Sequence, residues 1–398
     1  MQPIPTEISW FSRPASDPAH GGRMRAASLP FGTFGRSGDA LLRMQESMNA
    51  PDRAALRLTE FSHGGGCGCK IAPGVLRQIL GSAGSVPLPR ELLVGIETSD
   101  DAAVYQLNER QAVVATTDFF MPIVDDPYDF GMIAATNAIS DVYAMGGTPL
   151  FALALVGMPI DKLPVETIRR ILDGGEAVCA RARIPIAGGH TIDSVEPIYG
   201  LVVIGLVDPR NLKRNAGAQP GDSLVLGKPL GIGVYSAALK RGRLPADGYA
   251  AMLASTTRLN TPGIAFGAMP SVHALTDVTG FGLVGHLLEI CRGSNAGATI
   301  EFARVPLHPG VLDLAREGLV TGASARNWAG CADSVTLTRP DDAVERALLS
   351  DPQTSGGLLV ACAPDAADAV LGVFRDEGLV DAAVIGSITS GPPRIVVL

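Results

Sequence analysis

Apolar and polar positions alternate between strand-like runs and helix-spaced stretches from Leu92 to the end of the chain. The β-rich run Ala112–Thr117 predicts a strand that ends at Asp118. The segment Phe130–Met145 predicts a helix that Gly146 and Gly147 end. Further elements are predicted at Leu150–Val156 (strand), Val165–Ala182 (helix), and Ile184–Ala187, Ile198–Val207, Ser223–Leu226 and Leu358–Ala361 (strands). The pattern is that of a protein of mixed helices and strands.

The same pattern divides the chain into five segments. Residues 1–55 lack sustained periodicity, and we interpret them as a disordered extension or a mis-assigned start. Residues 56–92 hold a Gly- and Cys-rich loop and a short helical pattern at Pro73–Leu80. Residues 93–208 and 221–398 are predicted to be two domains, joined by a polar linker at 209–220.

Composition narrows the classes of function. The 398 residues are 46% hydrophobic and 18% charged, with a net charge of −8, and no dense basic patch offsets this charge, so nucleic-acid binding is not expected. No apolar run is long enough to cross a membrane. The six cysteines show no framework spacing, which is typical of a reducing cytoplasm, and the expected localisation is cytoplasmic.

The most informative local feature is the loop Ser62–Lys70, with the sequence SHGGGCGCK. Its glycines let the backbone approach a ligand closely. Cys67 and Cys69 stand beside Lys70, and a neighbouring cation is expected to favour the reactive thiolate. Two structural alternatives stay open for this loop. It could be a Cys-x-Cys metal knuckle, or a Gly-rich turn whose two thiols have no chemical role.

Aspartates recur at the ends of predicted elements: Asp100 and Asp101 before an apolar run, Asp118 after a strand, and Asp277 after another. Asn137 and Asp141 lie four residues apart, so they share one face of a helix. Each alone is explained by capping, a turn or solvation. Together, convergent carboxylates favour an Mg²⁺ site that also binds substrate phosphates.

Other motifs are weaker. Gly188 and Gly189 follow a predicted strand and precede His190 and Thr191, so their N–H groups either meet a phosphate or form an ordinary turn. His63 and His190 are candidate acid–base groups, but structural histidines are more common. No Walker A motif and no dinucleotide-binding glycine fingerprint is present.

Taken in order, these motifs resemble the selenophosphate synthetase (selenide, water dikinase) family. The segments that carry the resemblance are His63–Lys70, Thr98–Val104, Thr116–Pro122, Asn137–Gly147, Gly188–Asp193, Thr276–His286 and Asp351–Leu358. The resemblance runs from about Leu58 to the C-terminus, and the Gly-Cys-Gly-Cys-Lys loop is not shared by the wider superfamily. It implies two α+β domains of the aminoimidazole ribonucleotide synthetase-like (PurM-like) architecture, with N-terminal domains that pair in a homodimer.

The resemblance also implies an activity and a set of roles. ATP, selenide and water would yield selenophosphate, AMP and orthophosphate, to supply selenium for selenocysteine, for selenouridine in tRNA, or for both. Cys67 resembles the catalytic residue, and Lys70 resembles the essential lysine that contacts the nucleotide. Asp101, Asp141 and Asp277 resemble the Mg²⁺ ligands. The positions that resemble ATP contacts are Thr98, Ser99, Asp100, Asp118, Asp141, Gly189, His190 and Thr191.

Two other functions remain as alternatives. One is a superfamily relative that phosphorylates a different acceptor, against which the Cys67–Lys70 loop argues. The other is a non-catalytic metal or thiol carrier that uses Cys67 and Cys69, against which the recurrent aspartates argue.

Overall fold

The computed structural model describes residues 56–71, 75, 79, 88–95, 100–338 and 342–398. The predicted extension at 1–55, most of the predicted helix at Pro73–Leu80, and the site candidates Thr98 and Ser99 lie outside the described residues. Two short 3-10 helices, Leu58–Phe61 and Gly66–Cys69, precede the first sheet.

The first sheet has six strands in the order β1-β2-β3-β6-β4-β5. These are β1 Leu92–Val94, β2 Ala103–Asn108, β3 Gln111–Phe120, β4 Thr148–Met158, β5 Ile186–Asp193 and β6 Ile198–Val207. The helix α1, Pro127–Ala144, packs on one face of this sheet, and α2, Val165–Arg181, packs on α1. The two helices approach closely because each has a glycine at the contact, Gly131 on α1 and Gly174 on α2. A Cβ at these positions would lie 1.9 and 2.1 Å from backbone oxygens of the other helix.

The second sheet has seven strands in the order β10-β13-β9-β12-β7-β11-β8. These are β7 Ser223–Leu226, β8 Val272–Asp277, β9 Gly297–Ile300, β10 Val335–Leu337, β11 Leu358–Cys362, β12 Ala383–Thr389 and β13 Ile395–Val397. The accompanying helices are α3 Ile232–Lys240, α4 Ala246–Thr256, α5 Pro262–Gly267, α6 Gly282–Ser294, α7 Val311–Arg316, α8 Gly322–Cys331, α9 Ala343–Leu349 and α10 Ala367–Asp376.

Most predicted elements exist, with shifted ends. The strand predicted at Ile184–Ala187 is wrong at both ends, because β5 begins at Ile186 and continues through Gly188–Thr191 to Asp193. The predicted turn is therefore strand, held in parallel register against β4 with Gly189 opposite Ala154. A Cβ on Gly189 would lie 2.2 Å from the Ala154 carbonyl oxygen, so this glycine serves close strand pairing.

The helix α1 is the element that connects the two halves of the site. Asp126 caps its start by accepting hydrogen bonds from the N–H groups of Tyr128 and Asp129. Thirteen of its residues are buried, because it contacts β3, β4 and β6 on one side and β8 of the second sheet on another. Across the described residues, no helix is both long and apolar enough to cross a membrane.

Candidate active site

The Ser62–Lys70 loop lies packed against the body of the protein. The N–H of Gly66 donates a hydrogen bond of 2.8 Å to the Met121 carbonyl oxygen. Gly66 has a φ of +58°, and a Cβ there would lie 2.3 Å from the Thr354 hydroxyl, so both conformation and space require glycine. The loop thus presents Cys67 to the protein interior, where its side chain is 2% exposed.

The Cys67 thiol donates a hydrogen bond of 3.2 Å to Oδ1 of Asn137 on α1. The same Oδ1 accepts a 2.7 Å bond from the Ser355 N–H, and Nδ2 of Asn137 donates to Asp118. Because an N–H and an acidic carboxylate meet opposite ends of the amide, the Asn137 orientation is fixed by its partners. The amide therefore joins the thiol of the loop to the carboxylate of Asp118, two residues before the end of β3.

Lys228 stabilises the turn that contains Ser355 through hydrogen bonds to backbone carbonyl oxygens. Ser355 has a φ of +54°, an uncommon conformation for a non-glycine residue. The buried ammonium of Lys228 donates to the carbonyl oxygens of Ser355 and Arg258, at 2.9 and 2.7 Å. Burial lowers the pKa of Lys228 to about 7.

The expectation that Lys70 favours a thiolate at Cys67 is wrong for this arrangement. Burial raises the pKa of the Cys67 thiol well above its ordinary value, and the Asp118 carboxylate raises it further. Lys70 lowers this pKa, but its effect is smaller than those two. Cys67 is therefore a neutral thiol here, consistent with its role as a donor to Asn137.

Lys70 lies beside Asp118, the carboxylate that also accepts from Asn137. Its Nζ is 3.8 Å from Oδ2 of Asp118 and 6.0 Å from the centroid of the Phe281 ring, and its side chain remains 38% exposed. Asp118 is the main cause that raises the pKa of Lys70, so the ammonium stays protonated. A permanent positive charge with one side open is suited to phosphate oxygens.

Asp101, Asp141 and Asp277 form a three-carboxylate cluster in which one oxygen of each lies within 4.8 Å of the others. They come from the segment before β2, from α1 and from the end of β8. Each accepts a hydrogen bond from one hydroxyl: Asp101 from Thr276 at 2.9 Å, Asp141 from Thr116 and Asp277 from Ser140, both at 2.5 Å. The hydroxyls orient the carboxylates toward one point.

This cluster fits a divalent cation. Burial raises the pKa of all three carboxyls, and the neighbouring carboxylates raise those of Asp101 and Asp141 further. The Oδ2 atom of Asp101 is buried without a hydrogen-bond partner. A hard cation with oxygen ligands would compensate both costs, and Mg²⁺ prefers such ligands.

The other predicted site residues do not all converge. Asp100 accepts a 2.8 Å bond from the N–H of Asn215, beside the cluster. Gly189, His190 and Thr191 lie on the edge strand β5, and one register row runs from Asp118 through β6 and β4 to Gly189. Three strand spacings separate them by ~14 Å, so one chain does not bring these residues to the carboxylates. His63 pairs with Glu196 at 2.8 Å on the surface.

Several residues of the site were not among the candidates named from the sequence. Thr354 and Ser355 lie in a segment that reads as a tight connection into a strand, and Thr116, Ser140 and Thr276 are ordinary hydroxyls next to the aspartates. Lys228 follows a strand with nothing to mark its burial. Adjacency to Asp141 and Asp277 is the signal that points to Ser140 and Thr276.

The chain is similar to known proteins over most of its length. The family model "AIR synthase related protein, N-terminal domain" matches residues 99–207, and its C-terminal counterpart matches residues 219–398. The chain is 64% identical to a selenide, water dikinase of Burkholderia pseudomallei over 344 residues, which cover 86% of this chain and 97% of that one. It is 62% identical to a selenide, water dikinase of Dechloromonas aromatica, over 86% of this chain and 99% of that one.

Among solved structures, the chain is similar to a thiamine-monophosphate kinase from Stenotrophomonas maltophilia. The TM-score is 0.56 at 23% identity, covering 77% of this chain and 91% of that one. This likeness extends to the two-domain fold and no further.

Proposed function

The chain belongs to the selenide, water dikinase family, and we propose that it makes selenophosphate from ATP, selenide and water, releasing AMP and orthophosphate. The single observation that best supports this is the Cys67–Asn137–Asp118 contact beside the three-carboxylate cluster. It connects a thiol and, through Asp118, a lysine next to a candidate cation site, and neither a thiol carrier nor a simple metal protein requires that combination.

Bound Mg²⁺ would be held by Asp101, Asp141 and Asp277. It would supply charge neutralisation along the triphosphate, which phosphoryl transfer needs more than covalent chemistry. Because Asp141 lies on α1, which packs on the first sheet, and Asp277 ends β8 of the second sheet, the packing of β8 against α1 brings these ligands together.

Lys70 and Asp118 bind and orient the nucleotide in this proposal. The Lys70 ammonium, partly exposed beside Asp118, contacts phosphate oxygens from the loop and covers them from water. Thr98, Ser99 and Asp100 directly precede the cation ligand Asp101 in the sequence, which supports their assignment as nucleotide contacts.

Cys67 is the residue that we assign to selenide. Its neutral thiol, held by Asn137, guides the selenium toward the γ-phosphoryl group, and transfer to selenium releases ADP within the site. Water then attacks the β-phosphoryl group of that ADP, which yields AMP and orthophosphate. The product supplies selenium to selenocysteine, selenouridine or both.

We also propose that two copies pair over the face of the first sheet opposite α1. In the described chain this face carries exposed Tyr105, Leu107, Phe119 and Ile192 beside half-buried Phe151, Leu153, Leu155, Val202, Ile204 and Leu206. A continuous apolar face of this kind marks an interaction surface. A second copy would also bring its own Gly189–Thr191 toward the nucleotide, which the same residues of the first chain do not reach.

We propose a cytoplasmic site of action. All six cysteines are free thiols, which supports it.

Phosphorus NMR of an anaerobic mixture with ATP, Mg²⁺ and selenide tests the activity. Selenophosphate, AMP and orthophosphate are expected in equal amounts. ADP as the final nucleotide would contradict the proposal and favour a kinase that acts on another acceptor. ATP consumption that does not depend on selenide would exclude selenide as the substrate.

A further inference from the structure

A cavity of about 460 Å³ lies against the loop on a side that the proposed chemistry does not use. Gly65, Gly68 and Cys69 of the loop line it, together with Thr354. Thr354 also accepts a 3.2 Å hydrogen bond from the N–H of Cys67. Cys67, Lys70 and the three aspartates do not line this loop-side cavity, so a wall of loop backbone separates it from the reactive thiol.

Three basic side chains line the loop-side cavity: Lys240, Arg241 and Arg326. Each donates to a backbone carbonyl oxygen, namely that of Ser62 at 3.3 Å, Gly318 at 3.1 Å and Gly68 at 3.4 Å. Within the part of the chain that the structure describes, none has a carboxylate within 4.0 Å.

Acidic side chains that contact residues of the cavity lining are already engaged. Asp125 accepts from the N–H and the hydroxyl of Thr59, at 3.1 and 2.6 Å, and Asp351 accepts from the N–H of Gly233 at 2.9 Å. Glu196 accepts from both the backbone N–H and the ring of His63, at 2.7 and 2.8 Å. The first residues of α8, Gly322 and Ala323, also line the cavity, and a helix start favours negative charge. The cavity is thus electropositive in a chain of net charge −8, which selects an anion.

The position of the cavity indicates which anion. The nucleotide and its cation occupy the side of Cys67 that faces the aspartates, so the phosphoryl acceptor must reach the thiol from elsewhere. Hydrogen selenide is a monoanion near neutral pH, and the thiol of Cys69 offers it a soft, polarisable neighbour. The volume exceeds that of one ion and lies in the range of small organic ligands, about 300–1,000 Å³.

Resting on the proposed function, we propose that the loop-side cavity binds the selenium substrate as a small anion before it reaches Cys67. The anion is free hydrogen selenide or a low-molecular-weight selenopersulfide, RS–Se⁻, whose S–Se bond is cleaved by a second thiol, RSH, to give the disulfide RSSR and hydrogen selenide. Lys240, Arg241 and Arg326 attract it, and the glycine-rich loop backbone lies between this cavity and the thiol.

Steady-state kinetics of charge-neutralised variants test this site. Arg241→Gln and Arg326→Gln are each expected to raise the KM for selenide about fivefold, the effect of one unit charge near 4 Å in a mostly aqueous setting. The double variant should raise it further, while the KM for ATP stays unchanged. Arg326→Lys keeps the charge and should restore a KM close to that of the wild type.

Arg243→Gln is the matched control, because Arg243 is paired with Glu317 and does not line the cavity. A fall in kcat with an unchanged selenide KM would mean that these side chains only position the loop, and would overturn the inference. Unchanged kinetics in both variants would overturn it as well. A wild-type enzyme without selenide-dependent turnover would instead refute the proposed function itself.

Two sources of selenium separate the two forms of the anion. One is thiol-free selenide, and the other is selenite reduced by excess glutathione, which carries selenium on the thiol. A raised KM with both sources indicates that free hydrogen selenide is the ligand. A raised KM with the glutathione source alone indicates the thiol-bound form.

Discussion

Cys67 and Asn137 are joined by a hydrogen bond of 3.2 Å from thiol to amide oxygen, although they lie 70 residues apart. The other end of the same amide binds Asp118, which is also the partner of Lys70. The two functional side chains of the loop therefore meet the same pair of fixed residues. The packed loop and the nucleotide side of the site therefore share Asn137 and Asp118.

Substitution of the two loop cysteines should separate their roles. Cys67→Ser keeps a hydroxyl donor for Asn137, so the loop should still dock, but selenophosphate formation should fall by about two orders of magnitude or more, about 3 kcal/mol of transition-state free energy. Cys69→Ser should retain a good part of the activity. Phosphorus NMR of the product measures both, and the reverse ranking would contradict the assignment.

The neutral state of Cys67 predicts its reactivity. Because its thiol is buried and its pKa is raised, alkylation by iodoacetamide at pH 7.5 should label the partly exposed Cys69 first. The rate at Cys67 should increase with pH up to and beyond 9. Mass spectrometry of peptides after timed labelling measures both rates, and preferential labelling of Cys67 near neutral pH would refute the buried neutral thiol.

Periodicity predicted the elements of this fold well where one face is buried. The strand Ile198–Val207 and the strand Ser223–Leu226 have the predicted bounds, because their apolar runs begin and end with the sheet. It failed at β5, where Gly188–Thr191 read as a turn. A glycine pair signals a turn in isolation, whereas here Gly189 provides the close approach to Ala154 on β4.

The sequence also predicted which aspartates meet, but not how they are held. Asp141 in register with Asn137 indicated one helix face, and the structure puts both on the site. The charge state of Cys67 was mispredicted, because burial and Asp118 are tertiary features. Lys228, Thr354 and Ser355 contribute through backbone contacts that no residue type announces.

Removal of one carboxylate from the cluster should abolish function and stabilise the metal-free protein. Asp101→Asn should reduce Mg²⁺-dependent turnover on the order of 10³-fold, several kcal/mol of charge stabilisation. Because the pKa of Asp101 is raised, its carboxylate costs stability above the ordinary carboxyl range, and that cost disappears as the pH falls toward 4. The metal-free variant should therefore melt higher than the wild type near pH 7.

Thermal melts with and without Mg²⁺ check this prediction. Mg²⁺ should raise the Tm of the wild type and leave that of Asp101→Asn nearly unchanged. Asp173→Asn, on the exposed surface of α2, is the control and should respond to Mg²⁺ like the wild type. Equal Mg²⁺ stabilisation of the Asp101 variant would remove this residue from the cation site.

The apolar face of the first sheet, exposed among the described residues, predicts a charge-sensitive dimer. Leu153→Asp introduces a carboxylate in the centre of that face, where pairing would bury it without a partner, at a cost of several kcal/mol. Sedimentation velocity should find the wild type at twice the mass of one chain and the variant at the mass of one. Val380→Asp, at a site 72% exposed, is the control and should sediment like the wild type. A monomeric wild type would contradict the pairing.

Lys228 predicts a stability difference that depends on pH. Its pKa of about 7 lies below the ordinary lysine value of 10.5, so between these two values the unfolded chain binds more protons than the folded one. The wild type should therefore gain stability relative to Lys228→Met as the pH rises from 7 to 10, by at most about 1.4 kcal/mol per pH unit, with no change well below 7. Urea unfolding of both proteins across this range measures the difference. A constant difference would mean that the Lys228 ammonium is not destabilised by burial.

Lys228 also donates to the Ser355 carbonyl oxygen, and the Ser355 N–H donates to the Asn137 oxygen that accepts from the Cys67 thiol. Lys228→Met should therefore weaken the contact between Cys67 and Asn137. Faster alkylation of Cys67 in the variant than in the wild type would show this, and an unchanged rate would contradict it.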